Sequence, residues 1–554
     1  MKTVNIIKAI PIALFVLCAP GCNSSMLDLT PPLGETTDNF YQTEDQAFQS
    51  LVSAYGVLCM SAPPTHINGN YVNCAYEVTS EILGDCCFAG GEGGAGFDQP
   101  TFRRSTFTAL SDDNAAEALW RKYYMGIARC NTFFAHIDTP PFQDENLRER
   151  YKAEAHFLRA YYYFDLVRLF GNVPMPLREL APSDYAFPQS TPEETYKQIG
   201  IDLLAAINTV GSDGLPVMYS DAIAVPSGEK GRATIAAAKS LLARVWLYYT
   251  GYYGKTEMPG PITAEQIRGY LDDVINHSSH TLMPNAYDLT NVATVGVTPM
   301  FQISNNNNVE SVFEIQFSGL GKAGYGNRID SRGNQGVLLW GMRINTAPYT
   351  RGWSYATVDK NLWDKFDPAD PRRRASIISV AAEGIAVPNP GETYQYTGYF
   401  GRKYTTLAAN SSTIGGDPVL NWPNNFYVIR FADVLLMASE MELLHGGDPA
   451  KAFDYYKRVR ERAMGAGNVG ITQAQLTLDR IYDERLFELA LEGVRYWDIL
   501  RRGQDYAAAT LTRQSDDPLF RVTYDRTRAG LFPIPLYDIL QSKNTLKQNP
   551  GYTN

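Results

Sequence analysis

Between Asn425 and Gly503 the chain can fold in few ways. The run opens NFYVIRFADVLLMASEMELLHGGDPAKAFDYYKRVRERAMG and, after a short loop, continues LTLDRIYDERLFELALEGVRYWDILRRG. Val434, Met437, Ala438, Met441 and Leu444 recur at helical spacing, so they share one helix face. Gly446 and Gly447 stop that helix, Asp448 can cap the next, and Pro449 suits its first position. So tight a turn sets two helices side by side and antiparallel. A third, longer helix is predicted to follow, dense in charge at i,i+3 and i,i+4: Glu492 with Arg495, Asp498 with Arg501 and Arg502. Phe487, Leu491, Tyr496 and Trp497 share that helix, which brings its charge up against apolar packing.

The same grammar recurs upstream. Thr43 and Gln46 form a capping box ahead of an apolar face made by Ala47, Leu51, Ala54, Tyr55 and Leu58. Residues 60–114 read as a long loop that carries most of the cysteines and the run GGEGGAG at 90–96. Trp120 to Ile137 is predicted helical. In AEAHFLRAYYYFDLVRLFGNVPMP (153–176), Ala155, Leu158, Tyr162, Leu166 and Leu169 share one face before Gly171 and Pro174 end the helix. A second capping box at Thr191–Glu194 opens a helix to about Ile207, ATIAAAKSLLARVWLYY (233–249) forms an Ala-rich one, and Thr263 caps another. Helices therefore come as consecutive antiparallel pairs, roughly 30–40 residues each, without an exact repeat. That organisation resembles tetratricopeptide-type hairpins. From 285 to 424 the character changes to Asn305–Asn308, many glycines and prolines, and short β-prone runs such as VFEIQFS (312–318).

The first 22 residues set the compartment. Lys2 and Lys8 precede an apolar segment from Ala9 to Ala19, too short to span a bilayer, and Gly21-Cys22 follows. The pattern is that of a signal peptide ending in a bacterial lipobox, with Cys22 as the lipidated mature N-terminus. Several acyl chains on one residue make anchoring stable where a single chain is marginal. Removing Lys2 and Lys8 takes the 49 basic residues to 47 against 59 acidic ones, a net charge of −12. With no basic run to follow a phosphate backbone, nucleic acid is excluded as a partner. Export permits disulfides, but Cys59, Cys74, Cys86, Cys87 and Cys130 are odd in number, and vicinal Cys86-Cys87 do not easily bridge each other. None of the six histidines stands at ligand spacing near them, so no metal is expected.

Searched for catalysis, the chain offers no G-x-S-x-G elbow, no H-E-x-x-H, no phosphate-cradling loop and no dinucleotide fingerprint. Glu484, Glu488 and Glu492 are read as ion pairs on a helix face rather than as an acid–base set. Aromatic residues in Gly/Pro/Asn-rich stretches are the more telling feature. Sugar rings pack their C–H faces on such rings while their hydroxyls take polar partners. Trp340 lies near Asn334, Gln335 and Arg343, and Trp353 lies near Arg351 and Tyr355.

These residues carry a resemblance. AEAHFLRAYYYFDLVRLFGNVP, GRATIAAAKSLLARVWLYY, VIRFADVLLMASE, VRERAMG, DERLFELALEGVRYWDILRRG and the closing FPIP with QNPGY stand in the order seen in the SusD/RagB family of outer-membrane nutrient-binding lipoproteins. The resemblance implies a mostly α fold, with about four tetratricopeptide-like helix pairs in a right-handed scaffold and an irregular loop-rich region with short strands. It divides the chain into a leader (1–21), a lipidated tether (22–42), an N-terminal helical region (43–284), a variable ligand-binding region (285–424) and a C-terminal helical region (425–554). It also implies no catalysis and no cofactor, an oligosaccharide ligand, and a SusC-like TonB-dependent transporter as partner at the outer membrane, facing outward. By region, the expected ligand contacts are Tyr76, Phe88 and Phe97 from the first loop, and Tyr325, Asn334, Trp340, Arg343, Arg351, Trp353 and Tyr355 from the middle. One departure stands out: Asn23-Ser24-Ser25-Met26-Leu27 follow Cys22, where surface-displayed members often carry acids. A peptide-capturing relative, a helical glycoside hydrolase and a protein-docking scaffold are the competing readings.

Overall fold

The computed structural model describes residues 40–553 apart from 61–75, 93–98, 182, 185, 261, 322–331, 388, 412–419 and 544. Cys22, Cys74, Phe97 and Tyr325 therefore lie outside the described residues. The labelled helices are α1 (Glu44–Gly56), α2 (Tyr76–Ile82), α3 (Gln99–Ser105), α4 (Asn114–His136), α5 (Glu145–Phe170), α6 (Pro192–Asn208), α7 (Ile235–Tyr253) and α8 (Ala264–His277). After the irregular middle come α9 (Phe431–Leu444), α10 (Pro449–Met464), α11 (Leu478–Leu489), α12 (Arg495–Leu500), α13 (Gln504–Leu511) and α14 (Leu536–Gln541). The fold is mostly α and tetratricopeptide-like. α1, α4, α5, α6, α7, α8, α9 and α10 pack each on the next in a single row, which makes four successive pairs.

Local chemistry explains the helix ends. The capping boxes form at Thr43 with Gln46 and at Thr191 with Glu194. Thr263 accepts from the Gln266 N–H, and Asp448 accepts from Ala450 N–H with Pro449 at the first helical position. Buried faces from every helix of the row merge into one core, where Tyr162, Tyr163, Phe157, Trp246 and Leu436 are wholly enclosed.

Two expectations are corrected. Residues 60–114 are not one loop, because α2, α3 and the strand β1 (Cys87–Gly90) lie within them. The long third helix is two helices, α11 and α12, broken where Leu491 (φ 64°) and Gly493 (φ 75°) turn left-handed.

Between α8 and α9 the described helices are only 4 to 6 residues long. The other strands are β2 (Val173–Pro174), β3 (Gln189–Ser190), β4 (Ser311–Ile315), β5 (Tyr355–Val358), β6 (Ile377–Ser379), β7 (Tyr399–Gly401) and β8 (Phe426–Arg430). They form four antiparallel two-stranded ribbons: β1–β5, β2–β3, β4–β8 and β6–β7. The β1–β5 and β4–β8 ribbons fasten the middle of the chain to its two helical ends.

Candidate functional site

The charged third-helix region is the first place to look for chemistry, and its partners answer the question. Five carboxylates (Glu310, Asp370, Glu484, Glu488, Glu492) interlock with five cations (Arg372, Lys403, Arg430, Arg460, Arg462). The pairing is tertiary, not along one helix. Glu492 takes Lys403 and Arg430, Arg495 takes Asp85, and Arg502 takes Asp479; of the spacings expected from sequence, Asp498 with Arg501 forms at 3.0 Å. Glu488 is fully enclosed, bound by Arg372, Arg430 and Arg462 and by the Tyr287 hydroxyl at 2.6 Å. Burial pushes its carboxyl up, but those three guanidiniums hold it well below the usual carboxylate range. A carboxylate so occupied and enclosed neither reaches a substrate nor delivers a proton. This cluster is framework.

The candidate ligand residues divide by burial. Tyr76 lies in the core, its ring parallel to Trp497 at 6.1 Å and beneath the Arg168 guanidinium. Phe88 sits edge-on to Phe520 and under Arg513. Trp340 and Tyr355 are each 2% exposed, and Asn334 is buried with its amide donating to the Asn424 carbonyl at 2.9 Å. These five residues do not present a ring face or a side-chain amide to solvent, which corrects their assignment as ligand platforms. Their aromatic content is spent on packing.

Trp353, Arg343 and Arg351 are different, and the backbone explains why. Gly341 and Gly352 cross so closely that a Cβ on Gly352 would stand 2.3 Å from the Gly341 Cα. Around this crossing Gly352 N–H donates to Met342 O (2.7 Å), Ser354 N–H to Gly341 O (2.8 Å) and Trp353 N–H to Leu338 O (2.9 Å). The crossing sends Trp340 inward and leaves Trp353 half-buried, on a small separate apolar cluster with Leu338 and Leu420. Arg343 approaches Glu92 at 3.9 Å, and exposed Arg351 approaches Glu392 at 3.4 Å. Gly90 has φ 66°, and a Cβ there would stand 2.2 Å from the Ser354 carbonyl, so glycine alone lets β1 meet this edge.

Sequence reasoning missed two rings on the same rim. Gly91 N–H donates to Ser354 O and Tyr394 N–H donates to Gly91 O, both at 2.9 Å, which draws Tyr394 beside the Trp353 segment. Tyr394 and Phe102, both half-buried, stand edge to face with centroids 5.5 Å apart. No periodicity in GETYQY marks Tyr394; the Phe102 ring lies in α3, inside the stretch read as loop. Glu92, Gly321 and Leu420, which border the segments 93–98, 322–331 and 412–419, also belong to this neighbourhood: Gly321 abuts Asn421, and Leu420 abuts Trp353. The rim thus combines half-exposed rings, two arginines and two carboxylates, a set suited to a polar ligand with flat apolar faces.

Among the described residues, Cys59, Cys86, Cys87 and Cys130 are free thiols, and no three His, Cys, Asp or Glu side chains are grouped to hold a metal ion. No described helix is long and apolar enough to cross a membrane.

Comparison with known proteins gives the context. A family model described as the SusD family matches residues 310–552, and one described as starch-binding, associating with outer membrane, matches 102–247. SusD-like protein P2 of Formosa agariphila is 28% identical over 516 residues, spanning 88% of this chain and 91% of that relative. The structure is similar to surface glycan-binding protein A from Bacteroides fluxus, with TM-score 0.77, 28% identity and coverage of 92% of this chain and 100% of that one. It is similar also to surface glycan-binding protein A from Bacteroides thetaiotaomicron in complex with laminarihexaose, with TM-score 0.75, 25% identity and coverage of 92% and 100%.

Proposed function

The chain belongs to the SusD family, and on that premise we propose that it is a glycan-binding lipoprotein of the outer membrane. It captures an oligosaccharide outside the cell and passes it, uncleaved, to a partner TonB-dependent transporter. The observation that carries this reading is the rim at Trp353, where a half-buried indole lies beside Arg343 and Arg351. An indole face takes the axial C–H surface of a sugar ring, and guanidinium N–H groups and carboxylates take its hydroxyls. The conspicuous buried acids Glu484, Glu488 and Glu492 are consumed by ion pairs, which supports binding without hydrolysis.

Trp353→Ala tests the site. Its affinity for oligosaccharide should fall by about 1–3 kcal/mol, the scale of a ring stacked on an aromatic side chain, as read by titration calorimetry. Trp340→Ala should instead lower the melting temperature and leave the affinity of the folded protein near wild type. Unchanged affinity in Trp353→Ala would move the site off this rim. The lipid anchor has its own test, since Cys22→Ala should shift the protein out of the membrane fraction; retention there would rule out anchoring through Cys22.

A further inference from the structure

A groove of about 750 Å³ runs along α4, away from the Trp353 rim. Trp120 and Tyr124 of α4 form its floor, Leu180 and Phe187 of the 175–188 segment form one wall, and Gln541 and Leu546 close the other. The wall is fixed, not collapsible. Tyr124 OH donates to Pro174 O (2.8 Å), Tyr163 OH to Pro176 O (2.6 Å), and the Asn131 amide to Pro176 O and Arg178 O (2.9 and 3.1 Å). Thr132 Oγ1 donates to Glu179 at 2.6 Å. Leu180 at the lip is nevertheless 46% exposed, and neighbouring Leu177 is 41% exposed. A preformed groove with leucines at its edge calls for an apolar occupant.

The described chain begins at the end of this groove. Tyr41 stacks on His136 with centroids 4.8 Å apart, and His136 Nε2 lies 3.2 Å from the carboxylate of Glu179, which lines the groove. Upstream of Phe40, residues 23–39 read NSSMLDLTPPLGETTDN. Leu27 and Leu29 alternate with Asp28 and Thr30, so an extended backbone turns both leucines to one side, and Pro31-Pro32 favour extended geometry. The α4 floor from Trp120 to Thr132 is about 18 Å long. Seventeen extended residues reach about 60 Å, so the segment is long enough to enter the groove and lie along it.

We propose that residues 27–33 of the same chain occupy the α4 groove, with Leu27, Leu29 and Leu33 packed against Tyr124, Phe187 and Leu180. The consequence is orientation. Only residues 23–26 then separate Cys22 from the body, a span of about 14 Å, so an anchor at Cys22 holds the α4–α14 face toward the membrane instead of letting the body swing on a long leash.

The test uses the full mature chain with a benzophenone amino acid in place of Leu29, irradiated as monomer, with the crosslinked peptides identified by mass spectrometry. Crosslinks should fall within 120–132 or 175–188 and drop at least fivefold in Leu180→Asp. That position is already exposed, and an unchanged melting temperature confirms the body is intact. Crosslinks elsewhere on the chain, crosslinks between two copies, or a yield indifferent to Leu180→Asp each overturn the proposal. Glycan affinity measured on the same samples should not move, which keeps this result independent of the Trp353 site.

Discussion

Arg430→Ala should destabilise the protein by about 3–5 kcal/mol, the cost of leaving buried charge without its partner. Arg430 is enclosed. Its Nε donates to Glu492 (2.7 Å), and Nη1 donates to Glu310 (2.5 Å) and Glu488 (3.0 Å). Nη2 donates to the Glu488 carbonyl (3.0 Å) and back to Glu492 (2.9 Å). With five carboxylates set against five cations, alanine leaves one buried negative charge in excess, and the surrounding protein offers no water to replace the guanidinium. The same residue joins β8 to the α11–α12 corner and to Glu310 beside β4, so the loss should also loosen the middle of the chain. Urea unfolding reads the effect. Arg526→Ala is the control: its partner Asp505 and its own side chain are exposed, and the change should stay within about 0.5 kcal/mol. Equal effects from the two variants would mean the network is not what holds the middle of the chain to its C-terminal helices.

Glu81 should make the protein less stable as pH rises from about 5 to 7, against the trend of its other buried acids. It lies enclosed on α2, with one oxygen accepting from Gly493 N–H at 2.6 Å and the other unpaired among the described residues. Burial pushes its carboxyl up from 4.5 to about 7; the Gly493 hydrogen bond and Lys403 only partly offset this. The folded chain therefore holds this proton where the unfolded chain has released it. Its contribution is complete below pH 4.5 and is lost as pH rises through about 7, a swing of about 3 kcal/mol at 1.36 kcal/mol per pKa unit. Asp433 behaves oppositely: Arg485 and Arg244 outweigh burial and lower it to about 2, so its stabilisation fades only in strong acid. Glu81→Gln keeps the acceptor for Gly493 and removes the titration. At pH 8 it should be the more stable protein, and near pH 4.5 the two should converge. A difference between them that does not change with pH would refute the assignment.

Much of this was legible in the sequence because helices announce themselves locally. Thr43, Thr191 and Asp448 cap as their spacing required, and Val434, Met437 and Met441 are enclosed as their periodicity required. What failed was tertiary. Glu492 stands three residues from Arg495, but the Leu491–Gly493 corner breaks the helix between them, and better partners arrive from Arg430 and Lys403. The aromatics failed for a related reason. Trp340 and Trp353 sit in similar glycine-rich surroundings, and only the crossing at Gly341 and Gly352, a contact between segments, decides which faces inward. An irregular stretch has no period from which to read a face. Phe97 and Tyr325 remain proposals, on segments that join the described chain at this rim.

Titrating the purified protein with laminarihexaose, the oligosaccharide bound to the Bacteroides thetaiotaomicron protein, while following the sugar by chromatography tests the central claim most directly. The account predicts saturable binding that Trp353→Ala weakens, with the oligosaccharide recovered intact. Shorter sugars accumulating with time, or no saturable binding to this oligosaccharide or any member of a broad glycan panel, would contradict it.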